Sequence, residues 1–93
     1  MQSLLRSAQA GTLESSDIMI LIAPLEPDAG RKIELESSVI KQYGKAIEKT
    51  ITEMLNQFDI NDVNIVVNDR GALDCTIRAR METAISRATE AGM

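Results

Sequence analysis

Histidine is absent from this 93-residue chain, tryptophan is absent too, and cysteine, tyrosine and phenylalanine occur once each. Each scarcity removes a class of chemistry. Without histidine there is no Ser-His-Asp or Cys-His nucleophile pair, no His-bearing metal site and no ordinary general base near neutral pH. A Ser-Lys pair would have to draw on Lys32, Lys41, Lys45 or Lys49, all well downstream of the N-terminal serines. A single cysteine, Cys75, builds neither a disulfide framework nor a zinc site within one chain. The five glycines fall in neither GxGxxG nor GxxxxGK(S/T) spacing, so no phosphate loop is present. Two aromatic side chains and a net charge of −4 supply neither a stacking platform nor a phosphate-binding surface, which excludes nucleic acid as the expected partner. By subtraction the chain is read as no free-standing enzyme, with no catalytic and no metal-ligating residues.

Long apolar runs are missing as well. None approaches the ~20 residues of a membrane span, so no membrane partner is expected. Met1 to Arg6 lacks the charged and long apolar regions of a secretory signal. The lone cysteine is compatible with a reducing compartment, and the cytoplasm is the expected location.

What the chain does contain is an ordinary globular composition, 44% hydrophobic and 26% charged, enough for one domain with a modest aliphatic core. Residues 1–69 carry six basic and eleven acidic side chains, whereas residues 70–93 carry four and three. The acidic body reads as a solvated surface.

Residues 1–16 show no sustained period and are read as a mobile N-terminal segment ahead of a single α+β domain, 17–93. Asp17 to Pro24 is apolar on both alternating sets, Ile18/Ile20/Ile22 and Met19/Leu21/Ala23, the pattern of a central strand. Leu25 to Gly30 reads as a loop, and Lys32 to Glu36 alternates as a second strand, paired with the first in a hairpin. Ser37 or Ser38 is the expected N-cap of a long helix with Ile40, Tyr43, Ile47, Ile51, Met54 and Phe58 on one stripe. Val63 to Val67 alternates as a third strand. Asn68 to Gly71 is a turn, with Asp69 as the expected cap of a second helix carrying Leu73, Ile77, Met81, Ala84, Ile85 and Ala88 on one side. Gly92 marks its expected end, and Cys75, off that stripe, reads as a half-buried filler. The order β-β-α-β-α predicts an α+β two-layer sandwich: a three-stranded sheet in the order 2-1-3 with both helices on one face.

The stretch Gly11-Thr-Leu-Glu-Ser-Ser-Asp17 places two serines between two acids, just before the most apolar run of the chain. Read from the residues alone, Ser15 and Ser16 are either turn and cap residues or an accessible hydroxyl that another enzyme modifies. Nothing near them makes a nucleophile.

That stretch, the following Ile18-Met-Ile and Ile22-Ala-Pro24, and Asn68-Asp-Arg-Gly-Ala-Leu-Asp-Cys75 with Ile77-Arg-Ala-Arg80 resemble the acyl carrier, or γ, subunits of citrate lyase. The likeness runs from about Ala10 to the last helix, with matching order and spacing. It departs at Asn68, Asp69 and Arg70, where that family usually has two acids and a lysine. The resemblance implies that the serine directly after Gly-Thr-Leu-Glu, Ser15, bears a covalent group, with Ser16 as the alternative position. The implied group is 2′-(5″-phosphoribosyl)-3′-dephospho-coenzyme A, joined by a phosphodiester and ending in a thiol. The implied partners are a prosthetic-group transferase, an acetate-loading ligase, an α subunit that exchanges acetyl for citryl, and a β subunit that cleaves the citryl thioester to oxaloacetate. Glu14 and Asp17 are then either read by the transferase or merely keep the segment hydrated. The carrier subunit of malonate decarboxylase, with the same type of group, is the nearest alternative. An unmodified α+β interaction module is the reading from a different class.

Overall fold

The structure, a computed structural model, describes residues 4–89. Six elements follow one another: β1 (Ala8–Gly11), β2 (Ile18–Pro24), β3 (Arg31–Ser37), α1 (Ile40–Gln57), β4 (Val63–Asp69) and α2 (Asp74–Thr89). The strands form one sheet in the order β1-β2-β4-β3. β1 and β4 both run antiparallel to β2, and β3 runs parallel to β4. Gly92, read as the end of the last helix, lies outside the described residues.

The α+β class, the two helices, the antiparallel pairing of β2 with β4 and the parallel sense of β3 and β4 are as expected; that β3 and β4 are direct neighbours is not. Nor is the sheet the expected three-stranded one in order 2-1-3. There are four strands, and β4 rather than β2 lies between its two sequence-read neighbours. The physical reason lies at the other edge of β2, where the unexpected β1 pairs: β2 is interior, as its apolar pattern predicts, but between β1 and β4, which leaves β3 the free edge of β4. The second face of β2 is nevertheless open. Ile18, Ile20 and Ile22 are at most 1% exposed, whereas Leu21 on the other face is 40% exposed. Apolar residues on both faces therefore describe a strand covered on one face only. β2 and β3 do not form a hairpin, because β4 is inserted between them. Asp62 holds the connection across its end: its carbonyl accepts from Leu25 N at 2.8 Å and its carboxylate from Gly30 N at 2.9 Å.

The fourth strand, Ala8–Gly11, falls within the segment read as a separate arm. Ala-Gln-Ala-Gly carries no strand signal of its own. Its order comes from partners distant in sequence: the ladder with Met19 to Ile22, and the Arg87 guanidinium, which donates to the Gln9 carbonyl at 2.8 Å. Just before it, Leu5 N donates to the carbonyl of Ala88 at 2.8 Å, tying the lead-in to the end of α2.

Both helices lie on the isoleucine face of the sheet. α1 buries Ile47, Ile51, Met54 and Leu55, and α2 buries Ile77, Met81, Ala84, Ile85 and Ala88, each set at three- and four-residue spacing. They close over Ile18, Ile20, Ile22, Val63, Ile65 and Val67. Each large aliphatic side chain so enclosed contributes about 1.5–3 kcal/mol relative to an exposed one. The first turns of both stripes, however, stay open: Ile40 is 43%, Tyr43 56% and Leu73 69% exposed. Neither Ser37 nor Ser38 caps α1, whose N-cap is Val39 without a side-chain bond. The Ser37 hydroxyl instead donates to Asp69 at 2.8 Å and accepts from Val39 N at 3.1 Å.

Candidate functional site

The two serines sit on the loop from Thr12 to Asp17 that joins β1 to β2. At its root Gly11 has a φ of +92°, and a Cβ there would overlap the carbonyl oxygen of Ile18. Only glycine fits. At the tip, Asp17 N donates to the Glu14 carbonyl at 3.1 Å, which closes a β-turn with Ser15 and Ser16 as its two central residues. Ser16 has a φ of +65°, the left-handed region that L-residues other than glycine, asparagine and aspartate visit seldom.

Asp17 organises the loop. One carboxylate oxygen accepts from Ile18 N at 2.7 Å and from Arg80 Nε at 3.1 Å. The other accepts from the Thr12 hydroxyl at 2.6 Å and from Arg80 Nη2 at 2.9 Å. The Thr12 oxygen in turn accepts from Glu14 N at 3.2 Å. The Arg80 guanidinium above all, then the Thr12 and Ile18 donors, hold the Asp17 carboxyl far below the usual carboxylate range. The Asp17 side chain is 13% exposed, so this charge is spent on the loop itself. Sequence reasoning missed Arg80 as its partner. The residue stood in the recognised Ile77-Arg-Ala-Arg80 run, but no local signal pairs it with a carboxylate 63 positions away.

A second turn lies against the first. Ser16 N donates to the Arg70 carbonyl at 2.8 Å and Arg70 N donates to that of Asp17 at 2.9 Å, prolonging the β2–β4 ladder. The buried Asp69 carboxylate fixes this turn, accepting from Gly71 N at 3.1 Å and Ala72 N at 3.0 Å as well as from Ser37. It braces the turn before α2, which starts at Asp74.

The outcome is a tied-down frame around two adjacent hydroxyls, those of Ser15 and Ser16, neither with a partner among the described residues. Ser15 is exposed, and its side chain has no hydrogen-bond partner among the described residues. Glu14 and Ser16 are exposed beside it. The loop presents an oxygen to solvent and brings no base to it. Cys75, expected to be half-buried, is exposed on the first turn of α2. Among the described residues no cluster of three acidic, cysteine or histidine side chains could hold a metal ion, and no helix is long and apolar enough to cross a membrane.

Comparison with known proteins agrees with the motif reading. The acyl carrier protein family model described as malonate decarboxylase delta subunit (MdcD) matches residues 5–88. The citrate lyase acyl carrier protein of Lactobacillus acidophilus is 55% identical over 90% of this chain and 84% of its own length. That of Edwardsiella ictaluri is 48% identical over 90% of this chain and 85% of its own length. In fold, the chain resembles one chain of a Pseudomonas malonate decarboxylase hetero-tetramer solved in complex with malonate, with a TM-score of 0.76 over 94% of this chain and 88% of that one, at 19% identity. The family model is described by the malonate decarboxylase carrier, whereas the relatives at 48% and 55% identity are citrate lyase carriers, and these relatives decide between the two. This chain belongs to the citrate lyase acyl carrier proteins, the non-catalytic subunits that bear a covalently attached prosthetic group within a multisubunit complex.

Proposed function

We propose that the chain carries acyl groups for the cleavage of citrate on a prosthetic group joined by a phosphodiester to the Ser15 hydroxyl. The observation that carries this reading is the frame just described: two adjacent serine oxygens, exposed and unbonded among the described residues, at the corner of a turn whose both ends are tied down, with Ser15 the one whose backbone is unstrained and unheld. A phosphodiester needs an oxygen free of other bonds and open space around it, and Ser15 offers both. Ser16 is the alternative, but its backbone is held to Arg70 and its φ of +65° is already demanding.

The group assigned is 2′-(5″-phosphoribosyl)-3′-dephospho-coenzyme A; when attached, it supplies the thiol and with it the thioester chemistry. The protein's own residues tether it and raise its effective concentration at successive active sites. Asp17, Thr12 and Arg80 keep the turn in shape. Glu14, exposed and uncommitted, is the acid offered to the transferase, and Asp17 is not. The partners assigned are that transferase, an acetate-loading ligase, and the α (acetyl-for-citryl exchange) and β (citryl cleavage) subunits. The cytoplasm is the assigned compartment, consistent with an exposed, unpaired thiol at Cys75. The malonate decarboxylase carrier is the weaker reading, since the relatives at 44–55% identity are citrate lyase carriers.

Intact mass after co-expression with the transferase tests the assignment. The wild-type chain gains the group on the peptide around Ser15. Ser15→Ala stays unmodified and supports no citrate cleavage in the reconstituted complex. A Ser15→Ala chain that still loads, or a wild-type chain left bare in a citrate-fermenting host, refutes it.

A further inference from the structure

The open first turns of the two helices enclose a groove of about 430 Å³. Tyr43, Ala46 and Ile47 of α1 face Ala72, Leu73 and Ile77 across it. Its size suits a small organic ligand, and its lining is mostly apolar. Periodicity assigns Tyr43 and Leu73 to the core, yet they are 56% and 69% exposed. They face each other over a space that no part of the described chain fills.

The groove adjoins the serine turn. Ser16 is bonded through its N–H to the Arg70 carbonyl, and Gly71 and Ala72, directly after Arg70, form the groove's rim. The neighbouring cavities, on the open sheet face and along α1, have no lining residue between Asp69 and Asp74. Arg70 stands between turn and groove. It is exposed, and of the six arginines it alone has no side-chain bond among the described residues. A guanidinium suits a phosphate, whereas Asp69 and Asp74 in the groove suit an uncharged occupant.

We infer that, between visits to partner active sites, the pantetheine end of the arm on Ser15 rests in the groove between Tyr43 and Leu73, with its phosphates at Arg70. This rests on the assignment of Ser15 as the attachment point. Tethering makes it feasible. An attached group has an effective concentration on the order of millimolar, so a site with a Kd of about 1 mM is half occupied. Such weak binding shields the thiol from solvent and still releases it to a partner.

The test uses the loaded protein in a Cys75→Ser background, which leaves the arm's thiol as the only one. Its alkylation by iodoacetamide is followed by intact mass against free coenzyme A, and amide shifts of apo and loaded protein are compared. Expected are a rate at least about twofold slower than for free coenzyme A, the value for half occupancy, and shifts at Tyr43, Ala46, Leu73 and Ile77. Leu73→Ser, a change at an exposed site, restores the free rate, and Arg70→Ala moves it in the same direction. Loading on Ser15 with a free-solution rate and no groove shifts overturns the inference and leaves the Ser15 assignment standing. Groove shifts seen only after partner subunits are added overturn it too, marking the groove as a partner surface. A chain that carries no group on Ser15 overturns both.

Discussion

Arg80, in the second turn of α2, grips Asp17 with two hydrogen bonds, at 3.1 and 2.9 Å, and so fastens the end of the serine loop to the far end of the chain. The Arg80 side chain is 38% exposed and that of Asp17 13%, so the pair is only partly screened by solvent. Its role is positional. It holds the β-turn that presents Ser15.

Replacing Asp17 by Asn keeps the shape and removes the charge. Hydrogen bonds to charged groups contribute about 1.5–3 kcal/mol each when well buried, and solvent at Arg80 reduces that, so a loss of about 1–3 kcal/mol is expected in urea unfolding. The Asp17 carboxyl is held below its unfolded value, so its stabilisation is complete above about pH 4 and is lost as pH falls through the lower folded value. Asp74, lowered chiefly by the Thr50 hydroxyl and Arg78, acts with the same sign. The wild-type urea midpoint should therefore fall from pH 5 to pH 2, and that of Asp17→Asn should fall less while keeping the Asp74 part. Equal slopes would show that the pair does not matter.

Ser16 bears the strained backbone of the turn, with a φ of +65°. Ser16→Gly should leave stability within about 1 kcal/mol, because relief of the left-handed conformation offsets glycine's greater freedom when unfolded. It should also leave loading on Ser15 intact by mass. Ser16→Val, with a branched Cβ in the same conformation, should destabilise by about 1–3 kcal/mol. Abolished loading in Ser16→Gly, with the fold preserved, would move the attachment to Ser16.

Gly11→Ala places a methyl group against the Ile18 carbonyl at a φ of +92°. The backbone alone imposes about 1–3 kcal/mol, and the overlap adds to it. Lost amide protection in β1 and the serine loop, ahead of the rest of the sheet, is the expected signature in hydrogen exchange.

Asp69 is 1% exposed and accepts from one hydroxyl and two backbone amides. Asp69→Ala strands those donors, at about 1–3 kcal/mol for each one left buried without a partner. Thermal unfolding should show a large loss, and Asp69→Asn, which keeps an acceptor oxygen, a smaller one.

The helices and three strands were legible because their signals are local. Ile47, Ile51, Met54 and Leu55 keep helical spacing, and Val63, Ile65 and Val67 alternate, whatever they pack against. β1 was not legible: Ala8 to Gly11 has no apolar pattern, and its ladder to β2 and its bond from Arg87 come from elsewhere in the chain. The strand order was misread because β1 went unseen: it takes the edge of β2 that the sequence reading gave to β3. Ser15 was singled out through its neighbours in Gly11 to Asp17 and their likeness to a known family, but the surroundings of that turn were not legible. Arg80 and Arg70 reach Ser15's neighbours Asp17 and Ser16 only once α2 and the end of β4 lie beside the loop.

By itself, then, the order of residues marked both helices and three of the four strands, excluded chemistry that needs histidine, and singled out one serine turn by its flanking motif. These are short-range properties, set by neighbours three or four places apart. Folding alone decided that β4 is inserted between β2 and β3, that Asp17 is committed to Arg80, and that Tyr43 and Leu73 stand open across a groove. Each depends on which surfaces meet across many tens of residues, and that is governed by competition for burial and for hydrogen-bond partners over the whole chain.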